Sequence, residues 1–230
     1  MKIKCPAGDA HSIDASRTCP HCLHEIPKPV LHALLAGRDR ERTKKEKPAY
    51  GVGTLVSECL RQSYYKLTEE QILELDKLWI FSRGTAMHNF VTHTLVDKEK
   101  EIFVRKEFPA FDVIGFIDAV HDGTIYEFKT TTNIPEEPQH HHVMQAQGYF
   151  SMLSEEEQKN IARILIVYLS MLKIKTFEIP KRNITAYLES RAAILTNALN
   201  KKIPPAKEIS WLCKYCEFND TCFNRDKAVD

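Results

Sequence analysis

Three short strings hold the residues best able to do chemistry: Gly84-Thr85-Ala86-Met87-His88, Gly115-Phe116-Ile117-Asp118 and Glu127-Phe128-Lys129. In chain order they supply an imidazole, a carboxylate, a second carboxylate and an amine. Two carboxylates and an imidazole suit a hard divalent cation such as Mg²⁺ or Mn²⁺, the ions used to split phosphodiesters. Asp118 interrupts the apolar run Val113-Ile114-Gly115-Phe116-Ile117-Asp118-Ala119-Val120, and lone carboxylates are rare in buried strands. By itself, Glu127-Phe128-Lys129 reads only as the solvated face of an edge strand.

The elements that must position these groups give the strings more weight. Residues 112–120 and 124–130 both read as strands, and Asp122-Gly123 between them is a two-residue hairpin signal. That turn pairs His121 with Thr124 and sets Asp118 opposite Glu127, with Cβ atoms about 5 Å apart on one face. Carboxylates so close repel unless a cation intervenes. Lys129 lies two residues past Glu127, points to the same face and supplies one positive charge. A divalent metal would supply the remainder.

Seven cysteines form two groups. Cys213, Cys216 and Cys222 follow a Cys-x2-Cys-x5-Cys spacing and need a fourth ligand, for which Cys59 is the one remaining cysteine outside the first 22 residues. Zinc and iron–sulfur clusters both accept four thiolates, although three clustered cysteines with one remote partner favour a cluster. Alternatively, Cys59 is a small buried hydrophobe. In the front group, Cys5, Cys19 and Cys22 leave a fourth zinc position to His11 or His24. His11 gives the more compact arrangement, Cys-x5-His-x7-Cys-x2-Cys.

The odd cysteine count argues against a disulfide scaffold. The 230 residues, 43% hydrophobic and 27% charged, suffice for one sizeable globular domain with a small appendage. A net charge of +1 gives no global field for a polyanion, so any such site is local. No apolar run approaches the roughly 20 residues of a membrane helix, and the N-terminus has no signal-peptide core, so a cytoplasmic protein without membrane partners is expected.

Helical spacing covers 54–66, 68–96, 136–153 and 184–200; strands are expected at 101–108, 163–170 and 174–179 besides the hairpin. This order predicts an α/β core with a helical lobe built from both ends. The charged run at 38–47 reads as a charged helix end or a linker before the main domain. Arg61, Tyr64, Tyr65 and Lys66 could line a single-strand groove or pack inward on an amphipathic helix. Of His140, His141 and His142, only His142 has helical phase with Gln145.

Together these pieces resemble the PD-(D/E)XK nucleases of RecB type, specifically the CRISPR-associated exonuclease of the fourth Cas type, over residues 50–223. The resemblance implies a restriction-endonuclease-like core, a mixed sheet flanked by helices, with a helical iron–sulfur lobe. A small N-terminal zinc module with its linker, residues 1–48, would precede a nuclease domain at 49–230, and it departs from the family's compact pattern. His88, Asp118, Glu127 and the Phe128 carbonyl would ligate Mg²⁺ or Mn²⁺, with Lys129 orienting or deprotonating the attacking water. Gln145 and Tyr149, with His142, would support the site or touch DNA. Cys59, Cys213, Cys216 and Cys222 would hold a 4Fe–4S cluster.

The implied activity is 5′ to 3′ degradation of single-stranded DNA from its ends, as in CRISPR spacer acquisition beside the spacer integrase or a helicase. A viral or mobile-element recombination nuclease and a nuclease-dead DNA adaptor are the alternatives. The intact set His88, Asp118, Glu127 and Lys129 argues against the adaptor.

Overall fold

The computed structural model of the chain describes residues 2–36, 47–96 and 99–224; most of the charged run, at 38–46, lies outside them. Turn chemistry and strand patterning build the central sheet. Strand β6, Asp112–His121, and strand β7, Thr124–Thr130, are joined at Asp122-Gly123, whose φ angles of 47° and 66° make the expected primed turn. His121 pairs with Thr124, as the turn dictates. Strand β8, Arg163–Leu169, adds parallel to β7, and β9, Ile174–Ile179, closes that edge antiparallel.

On the other side, β5, Lys100–Glu107, runs antiparallel along β6. The opposite edge of β6 is shared: β7 takes Ala119–His121, and the short strand β3, Ala49–Gly51, lies parallel to residues 112–114. Residues 115–118 are therefore unpaired on that edge. The result is a six-stranded mixed sheet.

Helices cover it. Helix α7, His140–Met152, and helix α9, Thr185–Lys201, pack in the main core with Ile117, Ile125, Ile164 and Ile166. Helix α6, Leu75–Thr92, lies over a second cluster of Ala119, Phe128, Val167 and Leu169. A six-residue helix, α8, Glu155–Asn160, leads into β8 and starts with a Ser154/Glu157 capping box.

The expected helix at 54–66 is instead two: α4, Val52–Leu55, and α5, Leu60–Thr68. The break is stabilised from far away, because the Leu60 N–H donates to Glu208 Oε2 at 2.6 Å. The segment expected as helix from 68 begins with a two-residue strand, β4, Ile72–Leu73, before α6. A 3₁₀ turn at Trp211–Tyr215 and helix α10, Asn219–Asn224, complete the cysteine-bearing lobe.

The N-terminal residues fold as β1, Lys2–Lys4, β2, Ala10–His11, and helices α1, Ile13–Thr18, α2, Pro20–Glu25, and α3, Lys28–Leu35. They dock on the first elements of the larger unit: β1 pairs parallel with β4, and Leu31, Leu34 and Leu35 share a buried cluster with Leu75 and Leu78 of α6.

Candidate active site

Asp118 sits where the sheet forks. The β6–β7 ladder runs only to the Ala119–Tyr126 pair, so Asp118 and Glu127 stand in register just beyond its end. Across β5, pairing also skips this level: Lys100 meets Ala119 and Ile102 meets Ile117, while Glu101 takes a left-handed φ of 48°. The alternation of β6 changes phase here too. Ile117 packs in the main core, whereas Ala119, two residues on, packs in the cluster beneath α6. Such an irregularity re-aims a side chain. Asp118 Oδ2 accepts the backbone N–H of Phe128 at 2.8 Å, and Oδ1 lies 3.4 Å from His88 Nδ1.

Glu127 is buried, and its two oxygens differ. Oε1 pairs with Lys129 Nζ at 2.6 Å, while Oε2 is buried without a hydrogen-bond partner. Burial, with the charge of Asp118 adding to it against Lys129, pushes the Glu127 carboxyl up to about 7. Burial alone would lower the His88 pKa, but the hydrogen bond and charge of Asp118, and the charge of Glu127, outweigh it and raise it. Both shifts report negative charge crowded into a partly buried site, which a cation would relieve.

From Lys129 a chain of hydrogen bonds runs into α7. Lys129 Nζ donates to Gln145 Oε1 at 2.9 Å, and Gln145 Nε2 donates to the Tyr149 hydroxyl at 2.8 Å. Tyr149 lies against Gly115, where an added Cβ would come within 2.4 Å of its ring. The glycine of Gly115-Phe116-Ile117-Asp118 therefore admits the ring of Tyr149, a role the sequence hid. His142 contributes differently: its Nδ1 and the Gln139 N–H both meet the Tyr168 hydroxyl, at 2.8 and 3.0 Å. Burial, reinforced by Lys129, drives its pKa down to about 3 and keeps the ring neutral. Of the two readings of the 61–66 segment, the inward one describes the structure, since Arg61, Tyr64 and Tyr65 are all buried.

His88, Asp118 and Glu127 thus converge on one spot, with the Phe128 backbone beside them. Their donor atoms do not all lie within 4.8 Å of one another. A divalent ion would fit by drawing them together, and the partnerless Glu127 Oε2 is an oxygen ready for it.

Cys59, Cys213, Cys216 and Cys222 line one cavity of about 170 Å³, together with Tyr65, Leu212 and Phe218. Burial raises the Cys216 thiol pKa, and Glu217, Cys59 and Cys222 add to the shift. No three of these sulfurs are mutually within 4.8 Å, whereas Cys5, Cys19 and Cys22 are. His11 lies beside that trio and His24 is exposed on α2.

The model of the PD-(D/E)XK nuclease superfamily matches residues 29–223. The crystal structure of the protein named SSO0001 shares 22% identity at a TM-score of 0.62, covering 83% of this chain and 91% of that one, which demonstrates a common fold. A Eubacterium rectale chain provisionally named an exonuclease shares 12% identity over 88% of this chain and 86% of its own, at a TM-score of 0.35 too low to carry an argument. No curated protein matches.

Proposed function

The chain belongs to the PD-(D/E)XK nuclease superfamily, and from that premise we propose that it is a divalent-metal-dependent exonuclease acting on single-stranded DNA. The observation that carries this reading is the buried Glu127, with one oxygen on Lys129 and the other without a partner, beside Asp118 at the sheet fork. His88, Asp118, Glu127 and the Phe128 carbonyl would hold Mg²⁺ or Mn²⁺, which when bound acidifies water and offsets charge on the phosphate. Lys129 bonds to both Glu127 and Gln145, and in this reading its ammonium would orient the attacking water. Gln145 and Tyr149 hold Lys129 in place rather than reaching outward.

For the route of a single strand we propose a neighbouring cleft. A cleft of about 750 Å³ runs between Arg83, residues 132–136 and residues 170–175, carrying Lys173, the exposed side chains of Met171 and Leu172, and Lys175. Its Thr132 lies two residues past the end of β7, the strand that carries Glu127 and Lys129. Arg83 and Lys173 would meet the phosphates of such a strand there. For the cysteine lobe we favour a 4Fe–4S cluster held by Cys59, Cys213, Cys216 and Cys222, because a multi-iron core spaces its thiolates farther apart than one zinc ion does. Polarity from the 5′ end and a role in trimming DNA ends for CRISPR spacer acquisition follow only from the family resemblance.

The test is cleavage of end-labelled single-stranded oligonucleotides, blocked at either end, with Mn²⁺ or with EDTA. Cleavage from the free 5′ end in Mn²⁺, lost in EDTA and in Lys129→Ala, is the expected result. Full activity in EDTA, or cleavage unaffected by Lys129→Ala, would overturn the proposal.

A further inference from the structure

The N-terminal residues bring four potential ligands together from separate turns. Cys5 directly follows β1, and Cys19 sits at the joint of α1 and α2, with Cys22 in the first turn of α2. All three are buried. Both cysteine turns open with Cys-Pro: Cys5-Pro6-Ala7-Gly8 and Cys19-Pro20-His21-Cys22. In the first, the Gly8 N–H bonds back to the Cys5 carbonyl at 2.9 Å, and Gly8 takes a φ of 103°. Gly8 therefore stands where the first turn would carry its second cysteine, leaving that turn one ligand short. His11, on the paired strand β2 opposite Ile3, lies on the same side of the module.

The distances suit a single tetrahedral ion. Tetrahedral zinc, with Zn–S of about 2.3 Å and Zn–N of about 2.0 Å, sets sulfur–sulfur separations of about 3.8 Å and sulfur–nitrogen separations of about 3.6 Å. Here Cys5 Sγ lies 3.6 Å from Cys19 Sγ, and His11 Nε2 lies 3.7 Å from Cys19 Sγ. A sulfur pair at 3.6 Å is far beyond the roughly 2.05 Å of a disulfide. Three soft sulfurs and one imidazole are a donor set of structural zinc.

We propose that residues 2–36 form a structural zinc site, ligated by Cys5, Cys19, Cys22 and His11, that fastens the β1–β2 hairpin to α1 and α2. His11 is not yet within reach of all three sulfurs, so its ring pivots toward the ion on binding. The same buried cluster contains Leu75 and Leu78, so the ion also secures the seat on which the start of α6 rests. This site is independent of the nuclease reading and of the cavity around Cys59.

The test is elemental analysis of the full-length protein purified without added metal, alongside its variants. About one zinc per chain is expected; Cys22→Ser should lose it while iron content is unchanged. His11→Ala should release zinc to a chelator at least tenfold faster than the parent protein, and His24→Ala should not. In zinc-depleted protein, added Co²⁺ should give thiolate charge-transfer absorption. Should Cys22→Ser not fold, alkylation mapping of the parent protein replaces it: Cys5, Cys19 and Cys22 should become reactive together on chelation. Absence of zinc, or zinc retained in full by Cys22→Ser, would overturn the site. So would reactivity of the trio that ignores the chelator. Faster release from His24→Ala but not from His11→Ala would overturn the assignment of the fourth ligand.

Discussion

The ring of Tyr149 occupies the space that a side chain at position 115 would fill, 2.4 Å from where a Cβ on Gly115 would stand. Through this close approach, a residue of β6 with no side chain sets the position of a hydroxyl on α7. That hydroxyl in turn receives Gln145, which receives Lys129.

Gly115→Ala should therefore damage catalysis more than folding. Overpacking here costs about 1–3 kcal/mol, and moving positioning groups by about 1 Å costs roughly a hundredfold in rate. Thermal melts and initial rates on single-stranded DNA check both parts; a stability loss with an unchanged rate would break the link from Tyr149 to Lys129.

Metal-free protein should become less stable as pH rises. The folded-state pKa of Glu127 is raised to about 7, above its ordinary value, so the folded form holds this proton more tightly than the unfolded chain. The stabilisation is complete below the ordinary carboxylate range and is lost as pH climbs through about 7. Urea unfolding in EDTA at pH 5 and pH 8 should show this decline, and Glu127→Gln should flatten it while removing cleavage.

The roles of His142 and Tyr168 divide from those of Gln145 and Lys129. Tyr168→Phe deprives both His142 and the Gln139 N–H of their partner, which should cost about 1–3 kcal/mol. The rate of the folded fraction should remain within a few-fold of the parent. A rate collapse with unchanged stability would instead place His142 in contact with substrate.

Anaerobically purified protein should carry iron and sulfide with a broad visible absorption, and Cys216→Ser should bleach it. The cavity joins Cys59 to residues 213–222, so bleaching should also lower the melting temperature. Stoichiometric zinc at these four cysteines, without iron, would exclude the cluster.

Truncation before Tyr50 should expose Leu75 and Leu78, which now share a core with Leu31, Leu34 and Leu35. The shortened chain should be poorly soluble, and recovery by Leu75→Gln with Leu78→Gln would show that lost burial is the reason. A soluble, stable truncation without those changes would favour the self-contained module that the sequence suggests.

What could be read in advance was local. Asp122-Gly123 dictated its turn, the turn dictated the register, and the register placed Asp118 beside Glu127. The cysteine spacings likewise anticipated two separate gatherings of sulfur. What stayed hidden depends on partners distant in sequence. The gap between α4 and α5 lies inside an unbroken helical pattern because its capping carboxylate belongs to Glu208. Gly115 looks like a flexible link until α7 is known to cross it, and β3 finds its place only through parallel pairing with β6. The docking of α3 was concealed by the charges that follow it.

Helix α6 touches different cores at its two ends: Leu75 and Leu78 sit with the cysteine module, Met87 and Val91 with the cluster beneath the sheet, and Trp79 and Ile80 in its first half face outward. In mechanical terms it is a beam on two bearings, with His88 close to the second. The two seats are separate clusters of buried side chains, so a change packed against Leu75 and Leu78 does not touch the side chains packed near His88. Sequence change at the far bearing can therefore leave the seat beside His88 untouched.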